Sequence, residues 1–546
     1  MAADWPRTGI SAAKELVTPA GAPAGARLDA SAWRVIVASS LGAVYEWYDF
    51  FLFGAAAQLL SEQFFPAGNA VASRLLVFAT FGAGFAVRPA GAFLFGVLGD
   101  RVGRKHTFLI TIVLMGTATA TMGLLPTFSR TGLLAPALLV FLRLVQGLAL
   151  GGEYGGAAIY VAEHAPSGRR GLHTSFIQLA GAVGFLLALT VILAVHGAMN
   201  DTAWHRWGWR IPFLLSFALL AGSVYVRLKL KESPVFEAMK RDGILAPSPL
   251  RESVRGPNLR RMLVALFGIS AGLTVTWFTA QFTSLYLLQQ WAGLDDTGAK
   301  ELMAAATLLA LPGFVMSGWL SDRVGRKFVL LAGYVLSLTL TVPVFHAFAA
   351  AANPARNEAS VRSPIVVSGR ECSYDAFATL QPSACGRTLS YLTSKGVPYT
   401  VGDRNRESDV TVAVGRLLLS QPTNADIETA LRNTGYLSPP AMTWGRGLTL
   451  IALAFGLILI AALTYGPSAA LLVELFPAQI RYTSLSLPYH IGTGYIGGFQ
   501  PFLSQYISAH TGNPFGGLAY TLAVVAIALV VGLIWLPETR GRPIGA

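Results

Sequence analysis

Two carboxylates, Glu46 and Asp49, stand three residues apart inside an otherwise apolar run. At that spacing they share one face of a helix. Arg88 and Arg143 also sit in apolar runs, with Gln146 one helical turn beyond Arg143. A charge at the centre of a bilayer costs about 2.5–3.5 kcal/mol on insertion scales, so such residues are rarely idle. Burial raises a carboxylate's proton affinity and a nearby cation lowers it again. A carboxylate whose pairing differs between two conformations takes up a proton on one side and releases it on the other. Glu46 and Asp49 are therefore candidate proton sites, with fixed pairing to Arg88 or Arg143 as the alternative. A guanidinium in a mid-membrane cavity attracts a carboxylate, and its planar fork can hold one through two hydrogen bonds. Arg88, Arg143 and Gln146 are thus candidate substrate contacts, with a salt bridge from Arg88 to Asp49 as the competing role. Glu153 is a further proton-site candidate; it lies about 15 Å along the helix from Arg143, too far for direct pairing. His490 could titrate near neutral pH or serve as a hydrogen-bonded packing residue. Tyr45, Trp47, Tyr48, Trp277, Phe278 and Tyr286 could cage a quaternary ammonium or could face lipid and interface; Tyr45 and Trp277 are the substrate-contact candidates among them.

These residues require helices that hold them within a membrane. Hydrophobic residues make up 53% of the 546-residue chain and charged residues only 13%. Soluble domains average about 25% charged, so this composition reads as a polytopic membrane protein. A span needs roughly 20 residues. Twelve runs reach that length, near 33–60, 73–99, 106–125, 133–162, 173–196 and 208–229, then 261–290, 299–320, 328–350, 446–470, 483–508 and 515–536. The formal charge of +13 reads as topology rather than nucleic-acid binding, because cytoplasmic loops collect Lys and Arg. The basic 230–260 linker and the loops at Arg101, Arg169 and Arg323 fall on one side if every run crosses. Both termini are then cytoplasmic, with tails at 1–32 and 537–546; residues 1–32 lack the apolar core of a secretory signal. Gly147, Gly151 and Gly155 recur every four residues, a row that lets helices approach closely.

The hexapeptide Asp-Arg-Val-Gly-Arg-Lys occurs at Asp100–Lys105 and again at Asp322–Lys327, 222 residues later (322 − 100). A repeated charged loop between apolar runs means two copies of one unit, and paired units can expose one site to each side of a bilayer in turn. In Gly99, Asp100, Arg101, Gly103, Arg104 and Lys105, and in Asp322, Arg323, Gly325, Arg326 and Lys327, the glycines permit a tight turn. The aspartates can accept from helix N-terminal amides or pair with an arginine, a latch for one conformation. The plainer role is a positive-inside anchor. A second repeat relates Glu163-His-Ala-Pro166, Arg170 and Ser175 to Glu474-Leu-Phe-Pro477, Arg481 and Ser486, at an offset of 311 (474 − 163). The difference from the first offset, 89 residues (311 − 222), places an insertion in the second half, at 351–444 and outside the cytoplasm. It holds the only two cysteines, Cys372 and Cys385, which suit a disulfide there or remain two thiols. Strand-like runs at 364–367 and 410–414 give it the look of a small folded cap.

Residues 99–105 resemble the signature loop of the major facilitator superfamily. Glu46-Trp47-Tyr48-Asp49-Phe50-Phe51, Arg88-Pro89, Arg143-Leu-Val-Gln146-Gly147, Gly151-Gly152-Glu153, Glu474-Leu-Phe-Pro477, Arg481-Tyr-Thr483 and Pro537-Glu538-Thr539 resemble its metabolite:proton symporter family. That family includes carriers for proline and betaine, α-ketoglutarate, shikimate and citrate. The resemblance covers both halves and leaves out the tail and the insertion. It implies a central cavity lined by the first, second, fourth, fifth, seventh, eighth, tenth and eleventh spans, and a substrate or coupling role for Arg88. It does not single out one substrate.

No Walker-type phosphate loop, metal-ligand spacing or Gly-x-Ser-x-Gly elbow occurs, so no cofactor, metal or enzymatic reaction is expected. The expectation is an all-α membrane protein of twelve helices in two six-helix bundles, 33–229 and 261–536, the second interrupted by the insertion. It would sit as a monomer in a bacterial inner membrane and import a small organic acid or zwitterion with protons. The rivals are an exporter of the same fold, or a receptor that binds ligand through the insertion without net transport.

Overall fold

The computed structural model describes residues 30–66, 69–102, 104–152, 154–166, 168–228, 249–378, 380–402, 409–440 and 442–542. Nearly all of the expected N-terminal tail, much of the 230–260 linker, Gly103 and Glu153 lie outside the described residues. So do the side chains of Asp100, Arg101, Arg104 and Lys105.

In a bilayer each backbone N–H and C=O must find its partner within the protein, and helices meet that condition segment by segment. Among the described residues eight helices are long and apolar enough to cross a membrane, or nine if the bent pair Asp201–Gly208 and Arg210–Tyr225 forms one span. Helices also occupy the other expected runs in shorter or broken form: Ala30–Ala55 with Ala57–Phe64, the apolar Leu109–Met122, and Arg481–Ile491 followed by Gln500–Thr511. The glycine row performs the packing its spacing predicts. A methyl group on Gly147 would collide with the Gly84 carbonyl, and one on Gly151 with the Arg88 carbonyl. The helix Leu134–Leu150 therefore lies almost backbone to backbone with the helix Ala70–Ala86.

The two halves of the chain meet through aromatic side chains. Phe51 stacks on Trp277 at 4.6 Å, Phe85 meets Phe278 at 5.5 Å and Phe78 meets Tyr286 at 4.6 Å. Tyr286 also donates its hydroxyl to the Gly54 carbonyl at 3.1 Å. This seam closes the end of the molecule opposite the hexapeptide loops.

That end carries a small α/β unit between the helices Arg326–Ala352 and Trp444–Tyr465. Its strands β1 (Ile365–Ser368), β2 (Thr400–Val401), β3 (Thr411–Val414) and β4 (Leu417–Ser420) form one sheet in the order β2-β1-β3-β4. β1 and β2 are parallel and joined through the helix Ala384–Ser394; β3 and β4 form a hairpin whose two-residue turn places Gly415 at φ +60°. The strand-like runs read from the sequence are β1 and β3, paired antiparallel. Ile365, Val367, Val412 and Val414 turn one face of the sheet onto Leu389, Leu392, Ile427 and Leu431. Cys372 and Cys385 are joined in a disulfide.

This cap does not hang free. Its apolar core is continuous with Val71 and Leu75 of the Ala70–Ala86 helix and with Ala509 of the Gln500–Thr511 helix, so it rests on both halves. Asn69 donates to the Ala376 carbonyl at 3.3 Å, Tyr399 N–H donates to the Gly512 carbonyl at 3.0 Å, and buried Arg356 donates to the Trp291 carbonyl. Opening the Cys372–Cys385 disulfide, with a separation of 13 residues, should cost the cap about 3 kcal/mol through loop-closure entropy. Limited proteolysis of the Cys372→Ser, Cys385→Ser double variant checks this: cleavage within 353–443 accelerates while the helices stay intact.

Candidate functional site

The second hexapeptide loop shows how the charges at the loop end are used. Asp322 ends the helix Asp296–Val324, and its carboxylate accepts from the backbone N–H groups of Gly171 at 2.9 Å and Leu172 at 2.8 Å. Those amides belong to the first turn of the Arg170–Gly197 helix, whose N–H groups have no partner within the helix and form its positive end. Asp322 also receives Arg326 Nη1 at 2.6 Å. Both options read from the sequence for this aspartate are thus realised in one place, the amides reaching it from the other half and Arg326 from its own. Gly325 turns the chain at φ +110°, which only glycine adopts without strain, and presents the amides of Arg326 and Lys327 to the Glu538 carboxylate at 2.9 and 3.1 Å. Lys327 caps the Leu533 carbonyl at 2.9 Å, whereas Arg323 is exposed and lies over the Trp319 ring at 3.7 Å.

The second repeat yields a reciprocal arrangement. Glu474 pairs with Arg170 at 3.5 Å and Arg326 at 3.4 Å; Glu163 pairs with Arg481 at 3.1 Å. Each half's glutamate takes the arginine of the other half, and all of these side chains are buried. Thr539 donates to Glu474 at 2.7 Å, and Tyr482 donates to the Gly152 carbonyl at 2.9 Å. The sequence marked Glu163, Arg170, Glu474 and Arg481 as a repeat. The exchange between copies was readable in principle, since equivalent residues that face one another across a two-fold axis swap partners.

Deeper in the N-terminal half a polar cluster surrounds Asp49 on the helix Ala30–Ala55. Asp49 is buried, and Ser216 donates to its carboxylate at 2.5 Å. Gln146 donates to the Asp49 carbonyl at 2.9 Å and to Thr119 at 2.8 Å. Arg143 donates to Gln146 and to the Phe50 carbonyl, and its guanidinium lies over the rings of Phe50, Phe53 and Phe81 at 3.9, 4.5 and 4.9 Å. The structure thus brings Asp49, Arg143 and Gln146 together. Among the described residues, however, Asp49 has no cation within ion-pair distance. Ser216 and Thr119 are single hydroxyls on other helices, and nothing in their local sequence marks them.

Arg88 occupies a different place. It is fully buried, lies 5.7 Å from the Trp47 ring and 5.2 Å from the Phe85 ring, and stands within electrostatic range of Tyr465 and His490 of the C-terminal half. Arg88 and His490 therefore face the junction between the halves, while Arg143 makes its contacts within one half. Glu46 is buried on the same helix as Asp49. Trp277 joins the aromatic seam, and half-buried Tyr45 lies beside Gly222, away from it. The six aromatics do not converge into one cage: Tyr48 donates to the Pro212 carbonyl at 2.7 Å, inside the N-terminal half.

The comparisons with known proteins agree with this geometry. A family described as sugar (and other) transporter matches residues 35–266, and one described as MFS/sugar transport protein matches residues 156–381. The shikimate transporter of Escherichia coli (strain K12) is 38% identical over 324 residues, which cover 58% of this chain and 73% of that protein. The chain belongs to the major facilitator superfamily. Within that superfamily it is similar to the inner membrane metabolite transport protein YhjE of the same organism, 29% identical over 93% of this chain and 94% of the relative. A proline/betaine transporter of E. coli (strain K12) is 33% identical over 57% of this chain and 64% of its own length. The crystal structure of a D-xylose–proton symporter superposes with a TM-score of 0.58 at 16% identity, covering 93% of this chain and 99% of that one, which shows the shared fold. This facilitator-superfamily protein is a multi-pass membrane transporter and not an enzyme.

The exchanged ion pairs make a measurable claim. Removing one partner of a buried pair strands the other charge and costs about 3–5 kcal/mol, whereas removing both strands none. Arg481→Gln should therefore lower stability by about 3 kcal/mol, and the Glu163→Gln, Arg481→Gln double variant should recover at least half of that loss. Thermal unfolding of both variants in one detergent checks it.

Proposed function

We propose that this chain is a proton-coupled symporter that imports a small metabolite bearing a carboxylate, by alternating access between two six-helix bundles. Twelve crossings are assigned to it, with the hexapeptide loops on the cytoplasmic side, where their Lys and Arg residues favour placement, and the cap outside a bacterial inner membrane. Support for the substrate class comes from Arg88: a permanent cation, fully buried at the meeting of the halves and flanked by two aromatic faces. A planar guanidinium in that position selects a carboxylate geometrically as well as by charge. The rings of Trp47 and Phe85 offer an apolar wall for the body of the solute. The E. coli relatives bear names for shikimate, proline and betaine, and each of these solutes carries one carboxylate.

Asp49 carries the proton in this reading. It is a buried carboxylate that accepts from the Ser216 hydroxyl, and it sits in a cluster whose other end is Arg143. A shift of the Ala30–Ala55 helix relative to the Leu134–Leu150 helix changes the distance between this carboxylate and that cation. Charge proximity sets a carboxylate's proton affinity, so such a shift binds or releases a proton. Glu46, Glu153 and His490 are secondary proton sites in the same scheme. At the loop end the Asp322 latch and the exchanged ion pairs hold one side shut, and they must break for that side to open.

Two variants test the assignment in proteoliposomes with a radiolabelled monocarboxylate such as shikimate. Asp49→Asn should abolish accumulation driven by a pH gradient and leave counterflow exchange within about threefold of wild type; full accumulation removes Asp49 from the mechanism. Arg88→Lys should raise KM about tenfold, because a point charge replaces a two-pronged donor. An unchanged KM assigns Arg88 to structure alone.

A further inference from the structure

The seam between cap and helices holds a half-open cavity whose lining includes neither Asp49 nor Arg88. Its volume is about 90 Å³, measured as the space open to the centre of a water-sized sphere. One water needs about 10–15 Å³ on that measure, so a small organic molecule fits. All three parts of the protein contribute walls. Arg74 and Phe78 come from the Ala70–Ala86 helix, Gln290 and Trp291 from the end of the 256–291 helix, Gln505 from the Gln500–Thr511 helix, and Tyr399 from the cap.

Arg74 is the unusual member. It is half-buried in a lining that includes Phe78 and Trp291, yet among the described residues no carboxylate lies within ion-pair distance of it; Glu62 and Tyr374 act on it only at longer range. Cations withdrawn from water are ordinarily paired. Gln290 and Gln505 line the same space, and neither side-chain amide makes a hydrogen bond to another described residue. Tyr399 cannot serve as a counter-ion, since burial pushes its phenol up to about 12 and its hydroxyl already pairs with Thr393 at 3.0 Å.

One guanidinium, two neutral amides and two aromatic walls match a monoanion with an apolar or hydroxylated body. A dianion would leave one charge unmatched in a half-buried space. We infer that this cavity is an outer loading site, where Arg74, Gln290 and Gln505 hold a small monocarboxylate beneath the cap before it enters the path between the halves. This rests on the transporter reading given above, but its test does not. The cap segment Gly396–Tyr399 roofs the cavity, tied down by Tyr399 N–H on Gly512 O at 3.0 Å and by Arg356 on Lys395 O at 3.2 Å.

Calorimetric titration of the full-length protein in nanodiscs with acetate, benzoate and shikimate tests the inference. Wild type should bind at least one of these at two sites per chain. Arg74→Gln should weaken one site at least tenfold and leave the second; Arg88→Gln should do the converse. Gln505→Trp fills the cavity without altering charge and should remove the same site as Arg74→Gln. An isotherm in Arg74→Gln and Gln505→Trp that matches wild type overturns the loading site while the central assignment stands. Loss confined to those two variants, with Arg88→Gln unchanged, upholds the loading site and overturns the central assignment. Failure of the whole panel to bind wild type overturns the inference.

Discussion

Glu163 and Glu474 are equivalent residues of a duplicated sequence, and each is neutralised by the other copy's arginine. The physical constraint behind this is the cost of an unpaired charge away from water. A half separated from its partner would expose or strand its glutamate and its arginine alike. The halves therefore attract each other at this end through the Arg170–Glu474 and Glu163–Arg481 pairs, although Glu474 also keeps Arg326 of its own half. Asp322 adds a third tie of the same kind, since the amides it accepts from are the unpaired first-turn donors of a helix in the other half. A junction built from ion pairs and amide caps has a useful property for a moving part. Water can replace each of its partners, so the junction can open at moderate cost, which a close-packed apolar interface of equal area would not allow.

The opposite end is closed by different means. There the halves meet through stacked rings, one tyrosine hydroxyl on a backbone carbonyl, and the cap resting on both. Stacked rings part without leaving stranded charges, but they expose apolar area to water. Separation would thus cost the two ends differently, polar contacts at the loop end and apolar contacts at the cap end. Between them Arg88 faces the junction, and the Asp49 cluster lies within one half. The Ala30–Ala55 helix carries both Trp47, which lies beside Arg88, and Asp49, so in the proposed mechanism it is the element that would link the two places.

Much of this was legible in the sequence, for reasons that differ by element. The paired hexapeptides revealed the duplication and a candidate latch, and the Glu163 and Glu474 repeats placed the insertion, because duplication leaves like residues at equivalent places. The strand-like runs at 364–367 and 410–414 located two strands of the cap, because β-branched residues such as Ile, Val and Thr favour a pleated, half-buried surface. The glycine row located a close helix contact, because only a missing Cβ permits it. Other features were out of reach. Ser216 and Thr119 are ordinary hydroxyls until three helices bring them to Asp49 and Gln146. The grouping of Tyr45, Tyr48 and Trp277 as one aromatic set fails because their rings lie on different faces of the assembly, and spacing along the chain does not encode that.

The cap completes the argument about coupling. An insertion that touched one half would ride with it as a passenger. This one packs against Val71 and Leu75 on one side and Ala509 on the other, and its hydrogen bonds reach Asn69, Trp291 and Gly512. Movement of the halves apart at this end must therefore strain the cap or undock it from one of them. The disulfide and the sheet keep the unit itself stiff, so the compliant step is undocking. The polar ties are sparser on the N-terminal side, where Asn69 donates to the Ala376 carbonyl at 3.3 Å; on the C-terminal side Arg356 donates to the Trp291 carbonyl, Asn353 to the Ala292 carbonyl at 3.0 Å and Tyr399 N–H to the Gly512 carbonyl at 3.0 Å. The cap should then travel with the C-terminal half and lift from the Ala70–Ala86 helix, which is the helix that carries Arg74.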